Sequence, residues 1–254
     1  MSQNVVLKLS GETLGSFGEG FETGKIRRVA EEIFGLSINR RQEKISVAVV
    51  IGGGNLARFT SLKPKLPGIS DLTLHQVGMM ATNMNAKLVS DFLSGSMNPG
   101  KTRVVSTIPV SGFVDSWDPV EAKRWLDAEP GRVLFVAGGT GFPGVATTDT
   151  AAMMVASQLG ANLMLKGTKV DGVYDVDPLA EGRDIEPKAK MFKELKATDF
   201  LSRGLHSILD PVAVAMGREN HIPIRVFRFS PQARENISCL AAMEGSIGTL
   251  VNPL

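Results

Sequence analysis

Short apolar segments alternate with longer segments of helical length, and this alternation most restricts the folds open to the chain. Strands are predicted where Val, Ile and Leu cluster, at residues 5–9, 45–51, 103–108, 132–137, 162–166 and 222–227. Helices are predicted between them, at residues 25–39, 72–93, 120–127, 149–158 and 210–219. The pattern predicts an α/β protein, a three-layer α/β/α sandwich around a mostly parallel, twisted sheet.

The chain has 254 residues, which is enough for one large α/β domain or for two lobes that share one sheet. Hydrophobic residues make up 43% and charged residues 21%, values typical of folded proteins. The segment 175–190 is rich in Pro, Gly and charge, and it is predicted to be an irregular connection. It is a candidate for a lobe boundary or for a loop that covers a nucleotide.

The charge balance and the cysteine content exclude several classes of function. The net charge is +2 and no basic run exceeds two residues, so a small anionic substrate is favoured over nucleic acid. The single Cys239 and three scattered histidines give no disulfide and no zinc spacing. The N-terminus lacks a signal-peptide pattern, and polar residues interrupt the apolar region 151–165, so a cytoplasmic protein without a membrane span is expected.

Glycine-rich loops follow three of the predicted strands. Ligands of open α/β sheets bind outside the carboxyl ends of the strands, so these loops are the expected site of chemistry. They lie at residues 8–12, 52–55 and 138–141.

The segment 95–102 matches the P-loop pattern G-x-x-x-x-G-K-S/T. A P-loop requires a strand before it and a helix after it, because the helix N-terminus faces the phosphates. Here a predicted helix precedes the match and a predicted strand follows it. We therefore interpret the segment as a helix-to-strand turn.

The segment 139–144 matches G-x-G-x-x-G and lies between a predicted strand and a predicted helix. A dinucleotide site also needs an acidic residue at the end of the next strand, where this chain has Lys166. Pro143 fixes its own φ and changes the shape of the loop. The loop is therefore predicted to bind phosphate or substrate rather than NAD.

Several segments together, in order along almost the whole chain, resemble the bacterial-type UMP kinases of the amino-acid-kinase superfamily. They are KLSGE with its preceding strand, IGGGNLAR, GMMATNMN, TTDTAA, KGTKVDGVYDVDP and the terminal GTLV. The resemblance implies the amino-acid-kinase fold and transfer of a phosphoryl group from ATP, with Mg²⁺, to UMP, giving UDP for pyrimidine nucleotide biosynthesis. It also implies a homo-oligomer, a hexamer in typical members. One domain, 1–254, would comprise an acceptor lobe near 1–160 and an ATP lobe near 161–254.

Phosphoryl transfer needs alignment of the two substrates and positive charge or N–H groups on the migrating group. Lys8 ends the first strand and can supply an ammonium, while the backbone of 52–54 can approach phosphates without Cβ clashes. Asp149 and Asp210 each open a predicted helix, where an aspartate also serves as an N-cap. For Asp210 capping is the favoured interpretation; for Asp149 capping and a role in orienting the lysine are compatible.

The resemblance assigns roles to individual residues. Lys8 and Asp149 would be catalytic. The ATP contacts would be Lys8, Leu9, Ser10, Gly11, Gly54, Arg58, Thr168, Tyr174 and Asp177. The UMP contacts would be Gly53, His75, Thr140, Gly141, Thr147 and Thr148.

The chain departs from the family pattern at three places. His75 stands where an acidic residue usually binds the ribose, and a neutral imidazole has only one acceptor nitrogen. The loop 140–148 is one residue longer than usual and has Gly-Val-Ala where two aromatics often stand. Ser207 occupies a position where many members have lysine, which leaves Lys8 and Lys166 as the available cations.

Two alternatives to a UMP kinase remain open at this level. The same fold could phosphorylate another acceptor, a carboxylate or a carbamate, although GMMATNMN favours UMP. A non-catalytic member would bind nucleotide without turnover, although the presence of both Lys8 and Asp149 favours an enzyme.

Overall fold

A computed structural model of the protein describes residues 3–38, 45–143, 147–176, 189–205, 208–229 and 239–254. Its strands form one sheet in the order β4-β3-β5-β2-β1-β6-β8-β9-β7. Their bounds are β1 Gln3–Leu9, β2 Ile45–Ile51, β3 Thr102–Ser106, β4 Asp115–Ser116, β5 Val133–Ala137, β6 Leu163–Thr168, β7 Glu194–Lys196, β8 Ile224–Arg228 and β9 Thr249–Asn252.

The sheet is parallel except where β9 runs antiparallel to β8. Strand β1 lies near the centre, pairing with β2 on one side and with β6 on the other. The carboxyl ends of β1, β2, β5 and β6 therefore meet at one edge of the sheet, and the glycine-rich loops lie there.

Helices cover both faces of the sheet and complete three layers. Their bounds are α1 Thr23–Ser37, α2 Phe59–Leu62, α3 Asp71–Ser96, α4 Pro119–Ala128, α5 Thr148–Leu159, α6 Ala197–Ser202, α7 Pro211–Glu219 and α8 Cys239–Met243, with 3-10 turns at Gly11–Thr13 and Lys63–Lys65. One apolar cluster joins the sheet to α4, α5, α6 and α7. The other joins it to α1, α3 and α8, so the predicted sandwich is confirmed.

Local sequence fixes the ends of the main helices. Ser70 caps α3 by accepting a hydrogen bond from the Thr73 N–H, and Asp118 caps α4 just before Pro119. Gly160 ends α5 in the left-handed conformation, at φ 64°, which glycine adopts without a Cβ penalty. These polar and glycine signals explain why the predicted helices begin and end close to their observed bounds.

The six predicted strands and five predicted helices are all present; the bounds of β2 match the prediction, and the others are shifted at one or both ends. Strand β6 runs two residues past Lys166 to Thr168, because its parallel pairing with β8 continues to Arg228. The patterns missed α2, α6, α8, β4, β7 and β9, which have at most six residues each and are too short for a periodic signal. The P-loop match does lie in a helix-to-strand turn, between the end of α3 and the start of β3.

Within the ranges that the structure describes, no helix has both the length and the apolar character needed to cross a membrane. Asp177 and Ser207, together with residues 144–146 of the predicted substrate loop, lie outside the described residues.

Candidate active site

Two lysines and one aspartate form a buried charged centre where β1 and β6 approach their carboxyl ends. Lys8 and Lys166 are register partners on these neighbouring strands. Lys8 Nζ lies 2.7 Å from Oδ1 of Asp149, and Lys166 Nζ donates a hydrogen bond to Oδ2 of the same carboxylate. All three residues are less than 10% exposed. One carboxylate therefore holds two cations, and the centre keeps a positive charge in excess.

The pKa values follow from this arrangement. Burial alone raises the pKa of Asp149, but the charges of Lys8 and Lys166 outweigh it and hold that pKa well below its usual range. Burial and the nearby Lys8 charge lower the pKa of Lys166 to about 8, although Asp149 opposes the change. The carboxylate is therefore ionised at neutral pH, and Lys166 titrates near physiological pH.

Asp149 and Asp210 play different structural roles, and one of the two capping predictions is wrong. Thr147, not Asp149, caps α5, because its hydroxyl accepts the hydrogen bond from the Asp149 N–H. Asp149 lies in the first turn, and this places its carboxylate between the two strands. Asp210 does cap α7, through Val212, and its Oδ2 also accepts hydrogen bonds from the Thr147 and Thr150 hydroxyls at 2.6 Å. Asp210 thereby ties α7 to the start of α5.

Two glycines in the loops after β1 and β2 lie so close to neighbouring atoms that there is no space for a Cβ. A Cβ on Gly11 would lie 2.6 Å from the backbone nitrogen of Gly54. A Cβ on Gly53 would lie 2.7 Å from the carbonyl oxygen of Gly78 in α3. Here glycine is required by space rather than by φ, since neither Gly11 nor Gly53 has a positive φ.

Two buried asparagines fix the second glycine loop against α3. Asn85 Nδ2 donates hydrogen bonds to the carbonyl oxygen of Gly52 at 2.6 Å and to Oδ1 of Asn55 at 2.7 Å. Asn55 returns a hydrogen bond to Oδ1 of Asn85 at 3.1 Å. Both asparagines are at most 1% exposed. Because buried amides must be paired, this network holds the loop in one conformation.

A second charged cluster lies beside the glycine loops. The largely buried Glu12 carboxylate pairs with both Arg58 and Lys169. Glu12 lies in the segment that follows β1, Arg58 in the segment that follows β2, and Lys169 directly after β6. Lys169 is 68% exposed, so its ammonium can leave Glu12 for another anion.

A cavity of about 180 Å³ opens next to Gly53, between α3 and the loop that follows β5. His75 of α3 lies in its wall, with the imidazole stacked on the Phe59 ring at 4.7 Å between centroids. Thr140, Thr147 and Thr148 line the opposite side. Among the described lining residues, His75 is the only one with a titratable side chain.

The loop after β5 takes its shape from glycine and from contacts with α3. Gly138 and Gly139 have φ values of 80° and 64°, and the N–H of Gly138 donates to the Thr82 hydroxyl at 2.8 Å. Gly141 also has a positive φ, but a Cβ there would face Thr107 rather than the cavity. Of the predicted acceptor residues, Gly141 is the one that does not line the cavity.

The predicted ATP-side residues lie along the ends of β1, β2 and β6. The Leu9 side chain packs in the core, so Leu9 can present only its backbone to the edge. Ser10 caps the turn Gly11–Thr13. Tyr174 is 7% exposed and its hydroxyl donates to Asp171, which pairs with Arg228 through two hydrogen bonds. Thr168 ends β6, and Asp177 is outside the described residues.

Sequence reasoning missed several residues of this site. Glu12 and Lys169 carried no signal, because a single charge in a glycine-rich loop is usually solvated. Lys166 was noted as an available cation but received no role. Asn83 and Asn85 of the helical segment GMMATNMN are both buried and were a usable signal, since polar residues on an otherwise apolar face need buried partners. Across the described ranges, no three His, Cys, Asp or Glu side chains are grouped to hold a metal ion.

The parallel sheet, the glycine-rich strand ends and the paired lysines define an α/β protein with a centre suited to anions. The chain belongs to the amino acid kinase family, whose model matches residues 3–228.

Within this family, the chain is similar to proteins named uridylate kinase. It is 36% identical over 248 residues to that of Vibrio vulnificus strain YJ016, covering 97% of this chain and 96% of the relative. It is 35% identical over 251 residues to that of Rickettsia bellii strain RML369-C, covering 98% and 96%.

The chain is also similar to solved structures of UMP kinases. The UMP kinase of Bacillus anthracis superposes with a TM-score of 0.84 at 27% identity, covering 99% of this chain and 96% of the other. The UMP kinase of Ureaplasma parvum gives 0.83 at 27% identity, covering 99% of each.

Proposed function

We propose that this protein is a UMP kinase, which transfers the γ-phosphoryl group of ATP to UMP and forms ADP and UDP. The observation that carries the proposal is the charged centre, in which Lys8 and Lys166 share Asp149 between the glycine-rich loops and the cavity beside His75. The relatives are named uridylate kinase and UMP kinase, and these names support UMP as the acceptor. In the described part of the site, nothing favours a carboxylate or carbamate acceptor.

Lys8 and Lys166 stabilise the negative charge of the phosphoryl group in the transition state. In this class of reaction the protein supplies positioning and electrostatic stabilisation rather than covalent chemistry. Asp149 holds both ammonium groups in place before the substrates bind. Because the centre is buried, its charges act at a lower effective dielectric constant than in water.

ATP lies along the ends of β1, β2 and β6. Its phosphates face Lys8, the backbone of Ser10 and Gly11, Gly54 and Arg58. Its adenosine faces Thr168 and Tyr174; the resemblance adds Asp177, which lies outside the described residues. UMP occupies the cavity lined by Gly53, His75, Thr140, Thr147 and Thr148, and Gly141 acts through the shape of the loop.

The acceptor lobe is then approximately 1–160 and the ATP lobe approximately 161–254, with β1 and β6 at their junction.

Mg²⁺ enters with ATP in this proposal. Both oxygens of Asp149 face lysines, and both oxygens of Asp210 accept hydrogen bonds. The described part of the site therefore offers no group of carboxylates to hold the ion by itself. Mg²⁺ is commonly held by substrate phosphates and few protein ligands, so the triphosphate would supply most of its coordination and the ion would neutralise phosphate charge.

We also propose a cytoplasmic homo-oligomer, a hexamer as the resemblance implies. Val77, Met80 and Met84 lie on one face of α3 and are 45%, 41% and 48% exposed. Apolar side chains grouped in this way support an association surface. Light scattering at micromolar concentration measures the mass; a monomer with unchanged activity would contradict this part of the proposal.

The activity is tested by following ADP release from Mg-ATP with UMP, CMP, dUMP, N-acetylglutamate, aspartate and carbamate. We expect turnover with UMP that is lost in Lys8→Ala. Turnover only with a different acceptor would overturn UMP as the substrate and keep the family. ATP binding without turnover on any acceptor would favour the non-catalytic alternative.

A further inference from the structure

A second and larger cavity, of about 450 Å³, lies away from the cavity beside His75, at the carboxyl end of β8. The turn 245–248 reaches this end because β9 runs antiparallel to β8. We call this second cavity the β8 cavity. Its charged lining residues are Lys193, Arg225, Arg228 and Asp171. Its volume is within the range of small-molecule sites, roughly 300–1,000 Å³.

The described wall of the β8 cavity carries three cations against one carboxylate, a net charge of +2. Arg228 is already neutralised by its two hydrogen bonds to Asp171, at 2.6 and 3.0 Å. Arg225 and Lys193 make no side-chain hydrogen bond or ion pair to any residue in the described part of the chain. The cavity therefore holds two cations that have no direct ion-pair partner among the described residues.

Arg225 is the more informative of the two because it is half-buried. Its Nε is inaccessible to solvent and has no partner among the described residues. Burial lowers its pKa more than the nearby Glu194 raises it, yet a guanidinium stays charged at neutral pH. Its Nη2 would lie 3.2 Å from a Cβ at Gly245, so the absence of a side chain at that position leaves the guanidinium room. A partly desolvated cation without a partner is costly unless a ligand pairs with it.

We propose that the β8 cavity binds a phosphorylated small molecule. A phosphate monoester carries a charge of about −1.5 to −2 near neutral pH, which matches the net +2 of the wall better than a single carboxylate does. Arg225 supplies a fork of N–H donors and Lys193 a point charge, the two kinds of cation that bind phosphate. Met191 and Ile247 add apolar wall for the organic part of the ligand.

The β8 cavity is separate from the charged centre but adjoins the ATP-side segment. Asp171 pairs with Arg228 in the cavity wall and accepts a hydrogen bond from Tyr174 at 3.2 Å. A test must therefore distinguish binding here from binding near Lys8. Arg124 provides a matched control, since it is an exposed arginine on α4 without an ion pair to the described residues.

The experiment titrates inorganic pyrophosphate into the full chain by calorimetry, in buffer without divalent metal. Wild type, Lys8→Met, Arg225→Met, Lys193→Met and Arg124→Met are compared, with circular dichroism as the check on folding. We expect a binding event that survives Lys8→Met and Arg124→Met, distinct from any binding at the charged centre that Lys8→Met removes. It should weaken at least about tenfold in Arg225→Met and severalfold in Lys193→Met.

Three results would overturn the proposal: no binding at millimolar pyrophosphate, binding that is lost entirely in Lys8→Met, or binding that survives Lys8→Met and that neither Arg225→Met nor Lys193→Met weakens. Lys193 is exposed, so its variant decides the outcome if Arg225→Met fails to fold. The readout is binding and not turnover, so it is independent of which acceptor the enzyme phosphorylates.

Discussion

The Lys8 ammonium lies 2.7 Å from Oδ1 of Asp149, on the side of the carboxylate opposite Lys166. The lysines come from β1 and β6, and the aspartate comes from the first turn of α5. The register of β1 and β6 places the two lysines side by side, and the carboxylate of Asp149 pairs with both of their ammonium groups. Asp149 therefore holds in place the two lysines that, in the proposed function, stabilise the phosphoryl group during transfer.

Asp149→Asn should destabilise the protein strongly. The amide leaves two buried ammonium groups without a counter-charge, and breaking a buried ion pair in this way costs about 3 kcal/mol or more. Urea unfolding at pH 7 measures the change. Asp118→Asn is the matched control, because asparagine caps a helix as well as aspartate does and should cost almost nothing. Equal effects of the two variants would show that the pairing contributes little.

The contribution of Lys166 to stability should depend on pH. Its pKa falls from 10.5 in the unfolded chain to about 8 in the folded one, so below pH 8 both states are protonated and the cost of burying the charge is fully present. Between pH 8 and 10.5 the unfolded state binds more protons, and stability therefore rises with pH. Relative to Lys166→Met, the wild type should gain roughly 3 kcal/mol at most across this window.

This gain is measured by urea unfolding of the wild type and Lys166→Met at pH 7, 8, 9 and 10. Comparison with the variant removes the titration of other groups from the result. Lys123→Met, at a partly exposed lysine on α4, tests whether any change is specific to the buried position. A difference between wild type and Lys166→Met that stays constant over the whole range would contradict the prediction.

Gly53→Ala should destabilise the protein and weaken the acceptor site. The added Cβ would meet the carbonyl oxygen of Gly78 at 2.7 Å and Cβ of Ala81 at 2.9 Å, and both are fixed in α3. Such overpacking costs about 1–3 kcal/mol. Gly35→Ala in α1, where the Cβ would meet nothing within 4 Å, should stabilise by about 0.5–1 kcal/mol. Thermal unfolding of both variants checks the opposite signs.

Lys169→Met should weaken ATP but not UMP. Lys169 shares Glu12 with Arg58 on the ATP side and lies outside the described lining of the cavity beside His75. We expect the KM for ATP to rise about tenfold, since a charge-assisted phosphate contact is lost, while the KM for UMP stays within about twofold. Lys123→Met removes a partly exposed lysine that is paired with Asp127, far from the site, and should change neither value. A parallel rise in both KM values would indicate a structural effect instead.

His75→Asp should strengthen acceptor binding. A carboxylate offers several lone pairs to the ribose hydroxyls, where a neutral imidazole offers one acceptor. The KM for UMP should fall severalfold, and the KM for dUMP should fall less because dUMP lacks the 2′-hydroxyl. Steady-state kinetics with both nucleotides tests this. If the two change equally, His75 acts through its stacking on Phe59 and not through the ribose.

The sequence by itself determined the α/β class, the main strands and helices and the edge of the sheet where the site lies. Apolar periodicity and glycine position are local properties, so they could be recognised without the fold. The resemblance added the assignments of Lys8 and Asp149, and the structure brings these two side chains together. The roles given to individual ATP and UMP contacts remain predictions.

Tertiary structure alone decided which charges are neighbours. It paired Glu12 with Arg58 and Lys169 across three loops, and it placed Lys166 on the carboxylate that also holds Lys8. In the folded chain Thr147 caps α5, and the Nε of Arg225 has no hydrogen-bond partner among the described residues. Such contacts join residues up to about 160 positions apart, and they depend on strand order and register, which a local pattern does not contain.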